Sequence, residues 1–78
     1  MSKRLTSTTY GLVGGPRTER QLRSIWHKVA EIPDIGAIAF EVEGESSVMI
    51  IKHKETVVPD RAAIRDAVRA AGPYDLTD

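Results

Sequence analysis

The stretch GAIAFEVEGESSVMIIKH, residues 36–53, carries the pattern of two strands joined by a tight turn. Ile38, Phe40 and Val42 alternate with small or acidic residues, which is the period of a strand with one buried face. The Gly-Glu-Ser sequence at residues 44–46 predicts a short turn, and the VMIIK run at residues 48–52 predicts a second strand. The middle of the chain is therefore predicted to form a β-hairpin.

A helix is predicted before this hairpin, starting near Thr18. Thr18 suits the N-cap position, and Gln21 three residues later suits a capping box. Pro33 indicates the end of the helix, because the residue before a proline is disfavoured in helical geometry. Apolar residues recur at spacings of three and four residues and predict one buried stripe, formed by Leu22, Ile25, Trp26 and Val29.

A second helix is predicted after the hairpin. Pro59 suits the first turn, and Asp60 favours the N-terminal end because the helix dipole is positive there. Gly72 indicates the C-terminal end, where glycine is common. The apolar stripe of this helix is formed by Ala63, Ile64, Ala67, Val68 and Ala71.

Two further strands complete the predicted order. Residues 7–13 place Thr8, Tyr10 and Leu12 on one face, and residues 74–76 are interpreted as a short last strand. The order strand, helix, strand, strand, helix, strand predicts a ferredoxin-like α+β fold, with a four-stranded antiparallel sheet and both helices on one face. Residues 1–6 are interpreted as a flexible N-terminal arm, and residues 7–78 as a single domain.

The composition excludes several classes of partner and chemistry. Eleven basic residues balance eleven acidic ones in this chain of 78, so the formal net charge is zero. Binders of nucleic acid or of anionic membranes usually carry a basic excess, so neither partner is expected. The chain contains no cysteine, which excludes disulfides, thiolate metal sites and thiol catalysis. The polar N-terminus lacks a secretory signal pattern, so a cytoplasmic location is expected.

Several motifs together resemble the heavy-metal-associated domain family. Residues 31–36, EIPDIG, are similar to the turn that ends the first helix in that family, and the hairpin follows at the family's distance. Residues 57–60, VVPD, and the helix after them resemble the family's second helix, although Pro73 is an extra residue before Tyr74. The resemblance covers about residues 7–76. It implies the fold of small copper chaperones and of the metal-binding modules of metal-pumping ATPases.

The two cysteines that hold the metal in that family are missing here. Their positions fall on Arg17 and Arg20, or on Thr18 and Gln21, depending on the alignment of the helix. Monovalent copper needs thiolate or thioether ligands, so no family ligand transfers and no metal cofactor is expected. The resemblance instead implies a protein-interaction module, as for other members that lack the cysteines.

Two histidines are the remaining candidates for a weak metal site. His27 lies on the first predicted helix and His53 near the end of the third predicted strand. Because they lie on different elements, the favoured interpretation is two solvated histidines, with a weak metal-binding protein as the alternative.

The glycine turn before the first helix is a candidate anion site. Gly14 and Gly15 would expose backbone N–H groups near a helix N-terminus, and Arg17 and Arg20 would add charged donors. The favoured alternative is a purely structural turn. No catalytic constellation is visible in the sequence, so the chain is not expected to be an enzyme.

The uncovered face of the sheet is the favoured interaction surface. If Ile38, Phe40, Val42, Val48 and Ile50 point toward the helices, the opposite set points away. That predicted face is formed by Val13, Ala37, Ala39, Met49 and Ile51, with Gly11, Glu41 and His53 beside them. A contiguous exposed apolar patch indicates a partner, here another protein or a second copy of this chain. The face offers no aromatic side chain for RNA.

Overall fold

The computed structural model describes residues 4–77, which form an α+β domain. The four strands make one antiparallel sheet in the order β2-β3-β1-β4. The predicted antiparallel sheet of four strands with two helices is confirmed. In chain order the elements are β1 (Leu5–Val13), α1 (Glu19–Val29), β2 (Ile38–Glu43), β3 (Ser46–Lys54), α2 (Arg61–Ala71) and β4 (Asp75–Leu76).

One hydrophobic core joins the inner face of the sheet to both helices. Each helix contributes two fully buried residues four positions apart, Ile25 and Val29 from α1 and Ile64 and Val68 from α2. This spacing places both side chains of a pair on the same side of their helix. The sheet contributes the remaining buried apolar residues, Tyr10, Leu12, Met49, Ile51 and Leu76.

Both helices begin with a side-chain cap, and the cap of α1 is the one that the sequence predicts. The Thr18 side chain accepts a hydrogen bond from the Gln21 backbone N–H at 3.2 Å, and Gln21 Oε1 accepts from the Thr18 N–H at 3.0 Å. This arrangement is a capping box. At α2, Asp60 is the N-cap, so Pro59 lies before the helix and not in its first turn as predicted. The Asp60 carboxylate accepts from the N–H groups of Ala62 and Ala63. Each cap satisfies N–H groups that have no partner inside the helix.

The hairpin differs from the prediction by one residue. Glu43 pairs with Ser46, so Gly44 and Glu45 alone form the turn. Gly44 has a φ of 61°, a value that the first central position of a type II′ turn requires. The sequence interpretation counted Ser46 as a third turn residue. In a strand, a shift of one residue moves every side chain to the opposite face.

The shifted register inverts the predicted faces of β3. Phe40 pairs with Met49 and Ile38 with Ile51, so Met49 and Ile51 point toward the helices and are fully buried. Val48 and Ile50, predicted to point inward, lie on the outer face instead. The predicted faces of Thr8, Tyr10 and Leu12 in β1 agree with the burial pattern of that strand.

The first strand begins earlier than predicted. Leu5 pairs with Lys54 and Thr6 with His53, so these two residues belong to the sheet and not to an N-terminal arm. The longer β3, which extends to Lys54, provides their pairing partners. Residues 1–3 of the predicted arm lie outside the described residues.

The glycine turn after β1 brings the chain close to the loop before β4. Gly14 has a φ of 105°, and a Cβ atom added to it would lie 2.4 Å from the Pro73 carbonyl oxygen. Gly15 also has a positive φ, 68°. Two left-handed residues in a row fold the chain back so that Pro16 is buried. The turn therefore has a clear structural role.

Candidate functional site

An open groove of about 730 Å³ runs between α1 and β2. Among residues 4–77, β2 is an edge strand of the sheet, and no further strand lies beyond it on the groove side. The groove is lined by residues from the start of α1, from one side of that helix and from the first half of β2. These residues are Arg17, Glu19, Leu22, Arg23, Trp26, His27, Ile38, Ala39 and Phe40.

The floor and one wall of the groove are apolar. Leu22, Ile38 and Phe40 are half-buried, and Trp26 remains 42% exposed. The sequence predicts Trp26 within the buried stripe of α1, and this prediction is wrong. The stripe is wider than the sheet beneath it, because the sheet ends at β2 and leaves the Trp26 side of the helix uncovered.

Charged side chains surround this apolar surface. Arg23 and Glu19 form an exposed ion pair of 2.7 Å, one helical turn apart. The Arg17 guanidinium donates a long hydrogen bond of 3.4 Å to the Gly44 carbonyl oxygen. His27 contacts Trp26 edge-on, with ring centroids 5.2 Å apart. A polar rim around an apolar centre is the usual composition of a protein interface.

The edge of β2 presents unpaired backbone groups beside the groove. The Lys52 N–H donates to the Ala37 carbonyl oxygen, and the Gly36 N–H donates to the Lys52 carbonyl oxygen, each at 2.8 Å. Since backbone groups alternate in direction along a strand, Ala39, Glu41 and Glu43 are the residues of β2 that bond β3. The N–H and C=O groups of the other three residues, Ile38, Phe40 and Val42, point to the free edge.

The predicted interaction face is only partly present. Val13, Ala37 and Ala39 are exposed, as predicted. Met49 and Ile51 are fully buried, because the hairpin register turns them toward the helices. Val48 and Ile50 take their place on the outer face, where both are half-buried. The list of predicted outer-face residues was therefore wrong at these positions.

The two histidines do not share a site. His53 is buried, also contrary to its predicted place on the outer face. Its Nδ1–H donates to the Lys54 carbonyl oxygen at 2.9 Å, and Nε2 lies 2.7 Å from the Thr8 hydroxyl. Both ring nitrogens are therefore occupied within the protein. His27 is exposed on α1, and residues 4–77 contain no cluster of three or more acidic, histidine or cysteine side chains with the geometry of a metal site.

The predicted anion site has fewer free donors than the sequence indicates. The backbone N–H groups of Arg17 and Thr18 both donate to Gln21 Oε1, each at 3.0 Å. Gly14, Gly15 and the side chains of Arg17 and Arg20 are exposed. The site at residues 14–20 stays a prediction, and the capping box occupies part of the backbone that it needs.

The opposite side of the domain is closed by an ion-pair cluster. Asp75 in β4 accepts from Arg65 Nε at 2.8 Å and from Arg69 at 2.9 Å, both on α2. The Arg65 hydrogen bonds, then Arg69 and the Leu76 N–H, hold the pKa of Asp75 well below its usual range. Arg61 donates to the Thr77 carbonyl oxygen at 2.6 Å. These contacts tie the C-terminal strand to α2.

Comparisons of the chain with models of protein families, with curated proteins and with solved structures found no match. Among residues 4–77, neither helix is long and apolar enough to cross a membrane.

Proposed function

We propose that this chain is a non-catalytic protein-interaction domain that holds a partner polypeptide in the groove between α1 and β2. The observation that carries the proposal is the exposed indole of Trp26 above an apolar floor, beside an unpaired strand edge. Tryptophan and arginine are the residues most often found at the energetic centre of protein interfaces. This groove offers Trp26 together with Arg17.

The physical driving force has two parts. Covering the apolar floor and Trp26 removes apolar area from water, at about 25 cal/mol per Å² before the costs of association. The free N–H and C=O groups of β2 supply directional hydrogen bonds to an extended segment. A segment added to a sheet edge in this way obtains affinity from the backbone and specificity from the pockets for its side chains.

The resemblance of the chain to a known family of domains also supports an interaction role. We assign the chain to the ferredoxin-like folds, on the basis of its element order and of the single core that both helices share with one face of the sheet. We further propose that the chain resembles a heavy-metal-associated domain that lacks the metal ligands. We also propose a cytoplasmic location, which fits the absence of cysteine.

Photo-crosslinking from the groove tests the proposed function. Arg23 is replaced by benzoylphenylalanine, and the matched control carries the same residue at Ala70, an exposed position on α2. In cells of the source organism, we expect a discrete covalent adduct from position 23 and none from position 70. The adduct should disappear when Phe40→Glu is added, because a carboxylate in the floor opposes apolar burial.

Two outcomes would overturn the proposal. One is the absence of any adduct from position 23 in a variant that is folded, as judged by near-ultraviolet circular dichroism of Trp26. The other is an adduct from position 23 that persists with Phe40→Glu. An adduct from Ile50 on the outer sheet face, with none from position 23, would move the interaction surface to that face.

A further inference from the structure

We propose that the polypeptide in the groove is a second copy of this chain, paired antiparallel through β2 with a two-fold axis at Phe40. The inference rests on the proposed function and names its partner. The two sheets would then form one continuous sheet of eight strands. A two-fold interface uses the same patch on both copies, so the patch must be complementary to itself.

The backbone of β2 meets this requirement. Its free N–H and C=O groups belong to Ile38, Phe40 and Val42, all of which have side chains on the inner face. A two-fold axis at Phe40 pairs Phe40 with Phe40 of the second copy, and Ile38 with Val42. Every free group of one edge then faces a free group of the other, as in a regular antiparallel ladder.

The charges on the outer face agree with the same register. Glu41 lies opposite Ala39 of the second copy, so the two Glu41 carboxylates are diagonal neighbours and are not directly opposed. Glu43 lies opposite Ala37 of the second copy. In that copy the Lys52 N–H donates to the Ala37 carbonyl oxygen, so Lys52 is the next residue across the sheet. The small alanine side chain leaves space for a Glu43–Lys52 contact between copies. An axis placed at Glu41 would instead oppose Glu41 to itself, which is destabilising.

The apolar residues at the edge provide the buried surface. Val42 points to the inner face yet is 42% exposed, the same fraction as Trp26. In the paired sheet, the inner side chains of the second copy enter the groove that Trp26 and Phe40 line. A standard interface buries about 800 Å² per partner. That is roughly a seventh of the 5338 Å² of accessible surface of the described chain.

Sedimentation equilibrium of the purified chain tests the proposal, from about 10 µM to about 1 mM, a range suited to weak self-association. We expect a concentration-dependent monomer–dimer equilibrium. Val42→Pro should weaken it about tenfold or more, because the ring removes a free-edge N–H and obstructs the pairing strand. The substitution spares the bonds to β3, since proline is tolerated where the N–H points away from the sheet.

A charge exchange tests the register itself. Glu43→Lys should weaken the dimer roughly fivefold, since two symmetric contacts change from attractive to repulsive. Adding Lys52→Glu to the same chain should restore the wild-type dissociation constant. Within one copy, Glu43 pairs with Ser46, which lies six residues along β3 from Lys52, or about 20 Å, so the rescue can only act between copies.

The outcomes separate this inference from the proposed function. A chain that stays monomeric throughout, while position 23 crosslinks to a different polypeptide, overturns the second copy and leaves the interaction groove standing. A monomer without any groove adduct overturns both. A dimer that is unaffected by Val42→Pro and by the charge exchange overturns the β2 register. A purified adduct from position 23 with the mass of two chains supports a second copy as the partner.

Discussion

The two helices of this domain are alike in construction and differ in what lies beside them. Each has 11 residues, a side-chain N-cap and two fully buried residues four positions apart. Beside α2, the sheet ends at the short strand β4, whose Asp75 bonds to two arginines of that helix. Beside α1, the sheet stops at β2, and Trp26 stays exposed above a groove. The proposed interaction surface thus depends on what lies beside each helix and not on a difference between the helices.

The largest expected losses of stability come from core substitutions, and they should be equal in α1 and α2. Ile25→Ala and Ile64→Ala each remove a fully buried side chain, so each should cost about 2–5 kcal/mol of unfolding free energy. Urea denaturation of the two variants measures this. A loss below about 1 kcal/mol for Ile25→Ala alone would mean that α1 is not anchored as α2 is, and would break the comparison.

The next largest loss of stability is expected at the contact between the glycine turn and the loop before β4. Gly14→Ala should cost about 2–3 kcal/mol, because φ is positive and the added Cβ would lie 2.4 Å from the Pro73 carbonyl oxygen. The matched control is Gly15→Ala, where φ is also positive but an added Cβ would meet no atom within 4 Å in residues 4–77, apart from Gly15 and its two chain neighbours. That variant should lose about 1 kcal/mol, the cost of the left-handed conformation. Equal losses in urea denaturation would show that the contact with the loop before β4 is unimportant.

On the open side, Trp26→Ala should affect binding more than stability. The indole is 42% exposed, so we expect a loss of about 1–2 kcal/mol, less than for Ile25→Ala. The groove crosslink from position 23 and the dimer should nevertheless be lost. A stability loss equal to that of Ile25→Ala, measured in the same urea series, would place Trp26 in the core and not on a binding surface.

The smallest effects compare the ion pairs of the two sides. Asp75→Asn should lower stability at pH 7 more than Glu19→Gln, whose pair with Arg23 is highly exposed and contributes about 0.3–0.5 kcal/mol. The folded-state pKa of Asp75 is lowered from an ordinary value of 3.8.

The lowered pKa of Asp75 sets the sign of the pH dependence. Its contribution is present above about pH 4 and is lost as the pH falls through the folded-state pKa. The difference in unfolding free energy between wild type and Asp75→Asn should therefore shrink at acid pH. A difference that stays constant with pH would show that the carboxylate charge does not hold β4 to α2.

Local signals predicted the helices and strands. The errors came from the register of the hairpin and from where the sheet ends. The capping box at Thr18 was predicted because it involves residues within one turn, and Asp60 was correctly placed at the N-terminal end of the second helix. The predicted faces of β3 depended on whether Ser46 belongs to the turn. This difference of one residue moves Met49 and Ile51 from the outer face to the inner face.

The groove itself was missed in the sequence. The apolar spacing of α1 does not show where the sheet ends, so Trp26 looks buried in the pattern. The available signal was the predicted element order. In a split βαβ plan the third strand pairs with the first, which leaves the second strand at an edge.

Amide hydrogen exchange across β2, followed by NMR at increasing protein concentration, tests the central claim most directly. In dilute solution the amides of Ile38, Phe40 and Val42 should exchange fast, and those of Ala39, Glu41 and Glu43 slowly. At high concentration the first set should become protected while the second set is unchanged, because only the first set points to the free edge. Exchange at Ile38, Phe40 and Val42 that stays fast at every concentration would contradict the pairing of β2 with a second copy.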